Sequence, residues 1–185
     1  MNFMDIKTLD IANGPGCRIS LFVSGCRRHC KECFNPESWD FNHGDRFTEE
    51  VASKIITLLK PAYMDGLTIL GGEPFEAENQ VELLPFLRRV RENYPDLSIW
   101  MYTGYNFEDL YTSCDQTREI LSMIDVLVDG EFRIELKDIK LQYCGSTNQR
   151  VIDMKETLKS KMITVYHHYD FSKGSSPVAM LPVLH

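Results

Sequence analysis

Three cysteines lie within eight residues of the segment SGCRRHCKECFN, at Cys26, Cys30 and Cys33. Cysteine thiolates are soft ligands that suit zinc and iron–sulfur clusters, so this C-x₃-C-x₂-C spacing predicts a metal site. A structural zinc ion needs a fourth protein ligand, and His29 is poorly placed to share a tetrahedron with its neighbour Cys30. A cubane cluster held by three cysteines leaves one iron free to bind a small ligand. The spacing therefore favours an iron–sulfur cluster, with zinc as the alternative.

A glycine-rich turn, Gly71-Gly72-Glu73-Pro74, follows the apolar run Leu67–Leu70. Glycines lack side chains and let the backbone approach a ligand closely, while proline stiffens a turn. The Glu73 carboxylate and nearby carbonyls are suited to accept hydrogen bonds from an ammonium group. A lone GGEP is typical of an ordinary strand-to-helix turn. Beside the cysteines, it predicts part of a binding site.

Strands and helices alternate along the chain, which predicts a mostly parallel sheet with right-handed crossovers. The predicted strands are Arg18–Val23, Leu67–Leu70, Ser98–Tyr102, Asp125–Val128 and Met162–Tyr166. The predicted helices are Thr48–Leu59, Val81–Arg91, Phe107–Tyr111, Thr117–Met123 and Met154–Lys161. Thr48 is the expected N-cap of the first helix, and Pro85 is expected to start or kink the second.

Unusual loops follow four of these strands. The cysteine segment follows Arg18–Val23, and GGEP follows Leu67–Leu70. Thr103-Gly104-Tyr105 follows Ser98–Tyr102, and Asp129-Gly130-Glu131 follows Asp125–Val128. Ligands bind parallel sheets at the carboxyl ends of the strands, where successive loops converge. The four loops are therefore predicted to share one rim and to form a site.

The composition of the chain excludes several classes of protein. The chain has 185 residues, 43% of them apolar, and a net charge of −7, which favours one globular domain and argues against a nucleic-acid binder. No run of apolar residues is long enough to span a membrane, and the N-terminal residues resemble no secretion signal, so we expect a cytoplasmic protein with reduced thiols. No Ser/His/Asp arrangement, P-loop or pair of catalytic carboxylates is evident, and no acid–base catalytic residue is assigned.

The cysteine spacing followed by Phe34, together with GGEP, resembles the radical S-adenosylmethionine (SAM) signature. The phrases DIANGPGCRISLFVSGC, WMYTGY, VLVDGEF and CGSTNQR resemble a narrower group, the activating proteins of anaerobic ribonucleoside-triphosphate reductase. The resemblance covers about Asp10 to Ile152. It implies an α/β fold, an open, shortened (β/α) partial barrel with a mostly parallel sheet, as a radical SAM domain over 1–152. Residues 153–185 are then a C-terminal extension, expected to pack on the same domain.

The resemblance also implies the chemistry of a radical SAM oxidoreductase. Cys26, Cys30 and Cys33 would bind one [4Fe–4S] cluster, whose free iron chelates SAM. Reductive cleavage of SAM would give a 5′-deoxyadenosyl radical that abstracts hydrogen from a glycine of the reductase, with a flavodoxin-like protein as electron donor. Two alternatives are a radical SAM enzyme acting on a small molecule and a non-catalytic zinc-binding interaction module.

The residues implied for SAM binding all lie at the predicted rim: Glu32, Cys33, Phe34, Gly71, Gly72, Glu73, Thr103 and Asp129. The residues around Cys33 would flank the adenine, and the GGEP turn would bind the ammonium group. Thr103 is a candidate for the methionine carboxylate and Asp129 for the ribose hydroxyls. A helix cap at Thr103 and a turn at Asp129 are equally open interpretations. CGSTNQR is either a plain polar loop or a segment that closes the SAM site or docks the reductase.

Other distinctive residues are interpreted as structural. Trp39 and Trp100 are assigned to packing. His167 and His168 point to opposite faces of a predicted extended segment, so they are not expected to share a metal ion. The remaining cysteines are expected to pack as small hydrophobic residues: Cys17, Cys114 and Cys144.

Overall fold

The computed structural model describes residues 1–166 and 180–182. The strands in this part of the chain are β1 (Asn2–Asp10), β2 (Arg18–Val23), β3 (Asp45–Arg46), β4 (Gly66–Gly71), β5 (Ser98–Tyr102), β6 (Val126–Asp129), β7 (Arg150–Asp153), β8 (Met162–Thr164) and β9 (Met180–Pro182). The helices are α1 (Glu49–Leu58), α2 (Ala77–Asn93), α3 (Phe107–Tyr111), α4 (Asp115–Met123) and α5 (Met154–Ser160). Two 3₁₀ turns cover Pro36–Trp39 and Ile134–Leu136.

Seven strands form one open sheet in the order β3-β1-β2-β4-β5-β6-β7. The four central strands, β2, β4, β5 and β6, are parallel. β1 pairs antiparallel with β2 and β3, and β7 pairs antiparallel with β6. The prediction of an α/β protein with an open, mostly parallel sheet is confirmed at the centre of the sheet. The two antiparallel flanks, β1 and β7, were not predicted.

Local sequence explains where helix α1 begins, and less well where α2 begins. The Thr48 hydroxyl accepts a hydrogen bond from the Val51 N–H at 3.4 Å, so α1 begins at the predicted cap. Helix α2 begins at Ala77, well before Pro85, so the prediction that Pro85 starts this helix is wrong, and the alternative of a kink at Pro85 stays a prediction. The first turn of α2 carries buried polar residues, Asn79 and Gln80, that bind loops and hide the apolar periodicity.

The two faces of the parallel strands have different roles. Alternate residues such as Leu21, Ile69 and Met101 are fully buried against the helices in the main core. Because successive side chains of a strand point to opposite faces, the other face carries Trp100, which packs edge-on against Tyr143 with ring centroids 4.9 Å apart. The packing role predicted for Trp100 is confirmed.

Helix α5 and strand β8 confirm the predicted helix and strand to within two residues. Met154 and Ile163 from these elements are buried in the main core. The predictions for His167 and His168, and most of the segment 171–185, lie outside the described residues. No helix in the described part of the chain is both long and apolar enough to cross a membrane.

Candidate functional site

A cavity of about 370 Å³ opens at the carboxyl ends of the four parallel strands. Its lining includes nine residues predicted for the site: Cys26, Cys30, Glu32, Cys33, Phe34, Gly71, Gly72, Glu73 and Thr103. Phe34 is 95% exposed, and so lies at the mouth. Asp129 is not part of the lining, whereas its neighbour Gly130 is. The loops at the carboxyl ends of the parallel strands thus bring together, around one cavity, every predicted site residue except Asp129.

The cysteine loop has an uncommon backbone conformation. His29 and Glu32 have φ angles of 49° and 55°, in the left-handed region that few non-glycine residues adopt. The His29 ring stacks on Trp39 with centroids 4.5 Å apart, and the Cys33 N–H donates to the Cys30 carbonyl at 3.1 Å. Such conformations persist where surrounding contacts hold them, and they cluster at functional sites.

Backbone hydrogen bonds fasten the start of this loop to GGEP and to the turn Pro36–Trp39. The Gly25 N–H donates to the Ser38 carbonyl at 2.7 Å, and the Glu73 N–H donates to the Gly25 carbonyl at 2.9 Å. The buried Asn79 amide donates to the carbonyls of Ser24 and Glu73, at 3.0 and 2.9 Å. Sequence reasoning missed Asn79; the polar pair Glu78-Asn79 soon after GGEP was the available signal.

Arg27 clamps the loop from outside. Its backbone N–H and its Nη1 donate to the two oxygens of the buried Glu76 carboxylate, at 2.8 and 2.6 Å. Nη1 also donates to Glu78 at 3.0 Å, and the guanidinium lies 4.3 Å from the Phe41 ring centroid. Because Arg27 follows Cys26 directly, this clamp fixes the backbone beside the first cysteine.

The glycines of GGEP permit close approach, but the atoms approached are protein backbone. Gly71 has a φ of 108°, which favours glycine. A Cβ on Gly72 would lie 2.6 Å from the Gly25 carbonyl oxygen and 3.0 Å from that of Ser38. Gly72 therefore allows the GGEP turn, the cysteine loop and the 3₁₀ turn to stack.

We expect Gly72→Ala to displace the cysteine loop and to destabilise the protein by about 1–3 kcal/mol, as overpacking does. Denaturant unfolding of the cluster-free protein measures this change. Gly145→Ala is the control, since its Cβ would meet chiefly the edge of the Phe132 ring, at 3.0 Å. Equal stability of the two variants would contradict a requirement for glycine at position 72.

Glu73 ties two loops of the rim together. Its Oε1 accepts hydrogen bonds from the Phe75 N–H at 3.0 Å and the Thr103 hydroxyl at 2.8 Å, and its Oε2 accepts from the Gly104 N–H at 2.8 Å. The Thr103 hydroxyl also accepts from the Tyr105 N–H at 3.1 Å. Glu73 is 1% exposed, and burial raises the pKa of its carboxyl to about 7 despite these donors.

This raised pKa predicts a pH dependence of stability. The unfolded carboxyl ionises near pH 4.5 and the folded one near pH 7, so the folded state binds more protons between these values. Stability contributed by Glu73 is therefore full below pH 4.5 and is lost as the pH rises to about 7. Unfolding midpoints of the cluster-free wild type should fall more between pH 5 and pH 8 than those of Glu73→Gln. Parallel profiles would contradict a titrating Glu73.

Asp129 ends β6 fully buried. One oxygen accepts from Arg150 Nε at 2.9 Å; the other accepts from Arg150 Nη2 and from the Phe107 N–H, at 2.7 Å for the latter. Arg150 also donates to both oxygens of Glu108, at 3.0 and 2.7 Å. The carboxylate thus holds α3 against β7, and its predicted contact with ribose stays a prediction.

The CGSTNQR segment forms one wall of the cavity. The Gln149 side chain accepts from the Gly145 N–H at 2.8 Å and donates to the Gly130 carbonyl at 2.9 Å. The Asn148 amide donates to the Glu131 carbonyl at 2.8 Å. Cys144 lines the cavity as well, which its interpretation as a packing residue did not anticipate. This segment is therefore folded back onto the loop after β6.

The lining fits a sulfur-rich cluster. Burial raises the pKa of the Cys26 thiol to about 11, so a metal is needed to hold it as a thiolate near neutral pH. No group of three or more His, Cys, Asp or Glu residues in the described ranges is arranged to hold one metal ion. A four-iron cluster does not need that arrangement, since each thiolate binds a different iron. Two buried N–H groups of the lining, Arg28 Nε and Trp39 Nε1, find no acceptor among the described residues and suit an anionic group.

Comparison with known proteins assigns the family. Residues 12–152 match the family model of the 4Fe-4S single cluster domain. A Pasteurella multocida protein named anaerobic ribonucleoside-triphosphate reductase-activating protein is 42% identical over 151 residues, which are 80% of this chain and 95% of the relative. The chain belongs to this family of activating proteins. Its member from Vibrio cholerae is 41% identical over 80% of this chain and 96% of its own length. The member from Enterobacteria phage T4 is 37% identical, over 82% and 93%.

Family membership confirms the resemblance that CGSTNQR and the other phrases indicated. It also supports an iron–sulfur cluster as the class of cofactor, as the cysteine spacing favoured. Sequence reasoning missed Arg28 and Glu76, and it assigned Trp39 only to packing. The roles of these three residues become evident only when the loops are folded together.

Proposed function

We propose that this protein is a radical SAM oxidoreductase that activates an anaerobic ribonucleoside-triphosphate reductase. The observation that carries the proposal is the convergence of Cys26, Cys30, Cys33 and GGEP on one open cavity, in a chain whose relatives are named as activators of that reductase. The open sheet supports an assignment to the partial-barrel fold of radical SAM enzymes.

In this proposal the three cysteines hold one [4Fe–4S] cluster. When bound, that cluster supplies the one-electron chemistry that splits SAM into methionine and a 5′-deoxyadenosyl radical. A glycine of the reductase then loses a hydrogen atom to this radical, leaving a glycyl radical and 5′-deoxyadenosine. A flavodoxin-like protein is the proposed source of the electron.

The chain's own residues bind and orient SAM. The backbone of Gly71 and Gly72 lines the cavity, and Glu73 Oε2 has one hydrogen bond from the protein and room to accept another, so this turn is the proposed ammonium site. Thr103 is proposed near the methionine carboxylate, Glu32, Cys33 and Phe34 beside the adenine, and Asp129 near the ribose. Phe34 has no hydroxyl, so its contribution would be stacking or shielding.

We propose that the chain consists of one domain and a C-terminal extension. Residues 1–152 would form the radical SAM unit, a proposal supported by the family match over 12–152. Residues 153–185 would be an extension on that unit, supported by the burial of Met154 and Ile163 in its core.

The deciding experiment is anaerobic reconstitution with iron and sulfide, reduction with dithionite in the presence of SAM, and assay of 5′-deoxyadenosine. Adding the reductase should then give a glycyl-radical EPR signal, and a reductase variant with alanine at the radical glycine should give none. Deoxyadenosine formed in response to a small molecule, with no radical on the reductase, would favour the small-molecule alternative. A colourless, zinc-loaded protein that leaves SAM intact would overturn the proposal.

A further inference from the structure

We propose that Arg28 and Trp39 donate hydrogen bonds to sulfur atoms of the iron–sulfur cluster and thereby raise its reduction potential. The inference rests on the three-cysteine cluster of the proposed function. It concerns residues for which the sequence patterns gave no role in the chemistry.

Some buried polar side-chain atoms of the described residues make no hydrogen bond. Five buried side-chain polar atoms in the described part of the chain have no partner: Ser24 Oγ, Arg28 Nε, Trp39 Nε1, Asn79 Oδ1 and Asn148 Oδ1. Only Arg28 and Trp39 among these residues line the cavity, and in both the unpartnered atom is an N–H donor. An unmade hydrogen bond at a buried group costs about 1–3 kcal/mol, so such groups in folded proteins usually have a partner.

Arg28 lies between Cys26 and Cys30, and its side chain is closely confined. A Cβ on Gly104 would lie 2.4 Å from Arg28 Cδ and Nε, so the side chain rests on that glycine. The guanidinium lies 4.9 Å from the Tyr105 ring centroid, and Nη2 is 3.6 Å from a Glu131 carboxylate oxygen. The glycine after β5 therefore makes room for the guanidinium beside the cysteine loop, while Nε has no acceptor within residues 1–166 and 180–182.

Trp39 is fixed to the same loop at two points. The Cys26 N–H donates to the Trp39 carbonyl at 3.3 Å, and the indole ring stacks on His29 at 4.5 Å with an interplanar angle of 25°. The first contact fixes the Trp39 backbone and the second fixes the indole ring, so the ring has little freedom to turn its N–H towards solvent. The buried Nε1 thus remains beside the cavity.

Sulfur is the acceptor that this surrounding predicts. The cavity has three clustered thiols from the cysteine loop, and these become anionic thiolates on binding iron. The nearby carboxylate of Glu73 already accepts three hydrogen bonds from the protein, and its remaining acceptor position is the one assigned to the ammonium group of SAM in the proposed function. Reduction adds negative charge to the cluster, so N–H donors and a cation stabilise the reduced form more than the oxidised form. The potential then rises.

The test is the midpoint potential of the reconstituted protein without SAM, from an EPR-monitored redox titration, with iron content measured on the same samples. Arg28→Gln should lower the ratio of reduced to oxidised cluster at a fixed potential about tenfold, which is 59 mV for one electron. Trp39→Phe, which keeps a ring against His29, should lower the ratio about threefold, because it removes one neutral donor.

Lys31→Gln is the matched control. Lys31 lies in the same loop between Cys30 and Cys33 but is exposed, so its charge is screened by water. It should change the ratio less than twofold. An Arg28→Gln shift no larger than that of Lys31→Gln would overturn direct donation by Arg28.

Trp39→Phe tests donation without any change of charge, and it decides the matter if Arg28→Gln fails to retain iron. A variant with full iron and an unchanged potential would mean that water satisfies the indole N–H, and the inference would fall alone. A wild-type protein that takes up no four-iron cluster would instead refute the proposed function, and the inference with it.

Discussion

Replacing any one of Cys26, Cys30 and Cys33 by alanine is expected to abolish binding of the iron–sulfur cluster. Each thiolate is expected to ligate a different iron, and a cluster with one free iron has no spare protein ligand to lose. The expected result is a fall of iron and sulfide per chain to background after reconstitution, with loss of the visible absorbance and of SAM cleavage. Elemental analysis and anaerobic spectroscopy measure these quantities.

Cys114 and Cys144 provide two controls for the loss of the cluster, and the second is the stricter one. Cys114 is exposed at the start of α4, bound to Thr117, so Cys114→Ala should leave the cluster intact. Cys144 is the stricter control because it lines the same cavity as the three predicted ligands. If Cys144→Ala also loses its iron, the site has four protein ligands and no free iron for SAM. Retention of iron would support the three-cysteine assignment.

We expect Asp129→Asn to destabilise the cluster-free protein by about 2 kcal/mol, because it removes the negative charge from a buried pair. The asparagine NH₂ group is itself a donor, so it would face one of the donors that now bind the carboxylate, either Arg150 or the Phe107 N–H. The expected loss is below the largest measured for buried pairs, since Arg150 is partly exposed and keeps its bonds to Glu108. Denaturant unfolding in the absence of SAM gives the number.

Glu108→Gln is the matched control for Asp129. Glu108 binds the same guanidinium but is half exposed, so its loss should cost less than about 1 kcal/mol. An Asp129→Asn protein with wild-type stability but weakened SAM binding would contradict the structural role. It would support the predicted contact between Asp129 and ribose.

The sequence predicts the centre of the sheet well and its flanks poorly. Ser98–Tyr102 and Arg18–Val23 are apolar runs with polar or glycine-rich boundaries, and both match observed strands. Strand β1 was missed because its pairing with β2 shifts register between Phe3 and Asp5 and again between Lys7 and Asp10, so its residues keep no single alternation. Strand β7 is short and follows a polar loop, and it gains its place by pairing with β6.

The sequence also predicts only part of the candidate site. The cysteines, GGEP and Thr103 could be assigned to one rim because parallel strands present their carboxyl ends together. That rule gives the place of a residue but not the direction of its side chain. It therefore put Asp129 at the rim, while the folded chain directs the carboxylate to Arg150. The partners of Arg28 and Trp39 are likewise set by tertiary packing.

The anchoring of the cysteine loop also bears on how the protein is made. Ser24 and Gly25 are held by Ser38, Glu73 and Asn79, and the last two belong to segments that leave the ribosome well after Cys33. At synthesis rates of about 5–20 residues per second, the chain from Cys33 to Asn79 takes on the order of several seconds to appear. During that interval three neighbouring thiols are present on a chain that cannot yet bury them. The nascent protein therefore passes through a stage that is more open to oxidation and to capture of the wrong metal than the folded protein is.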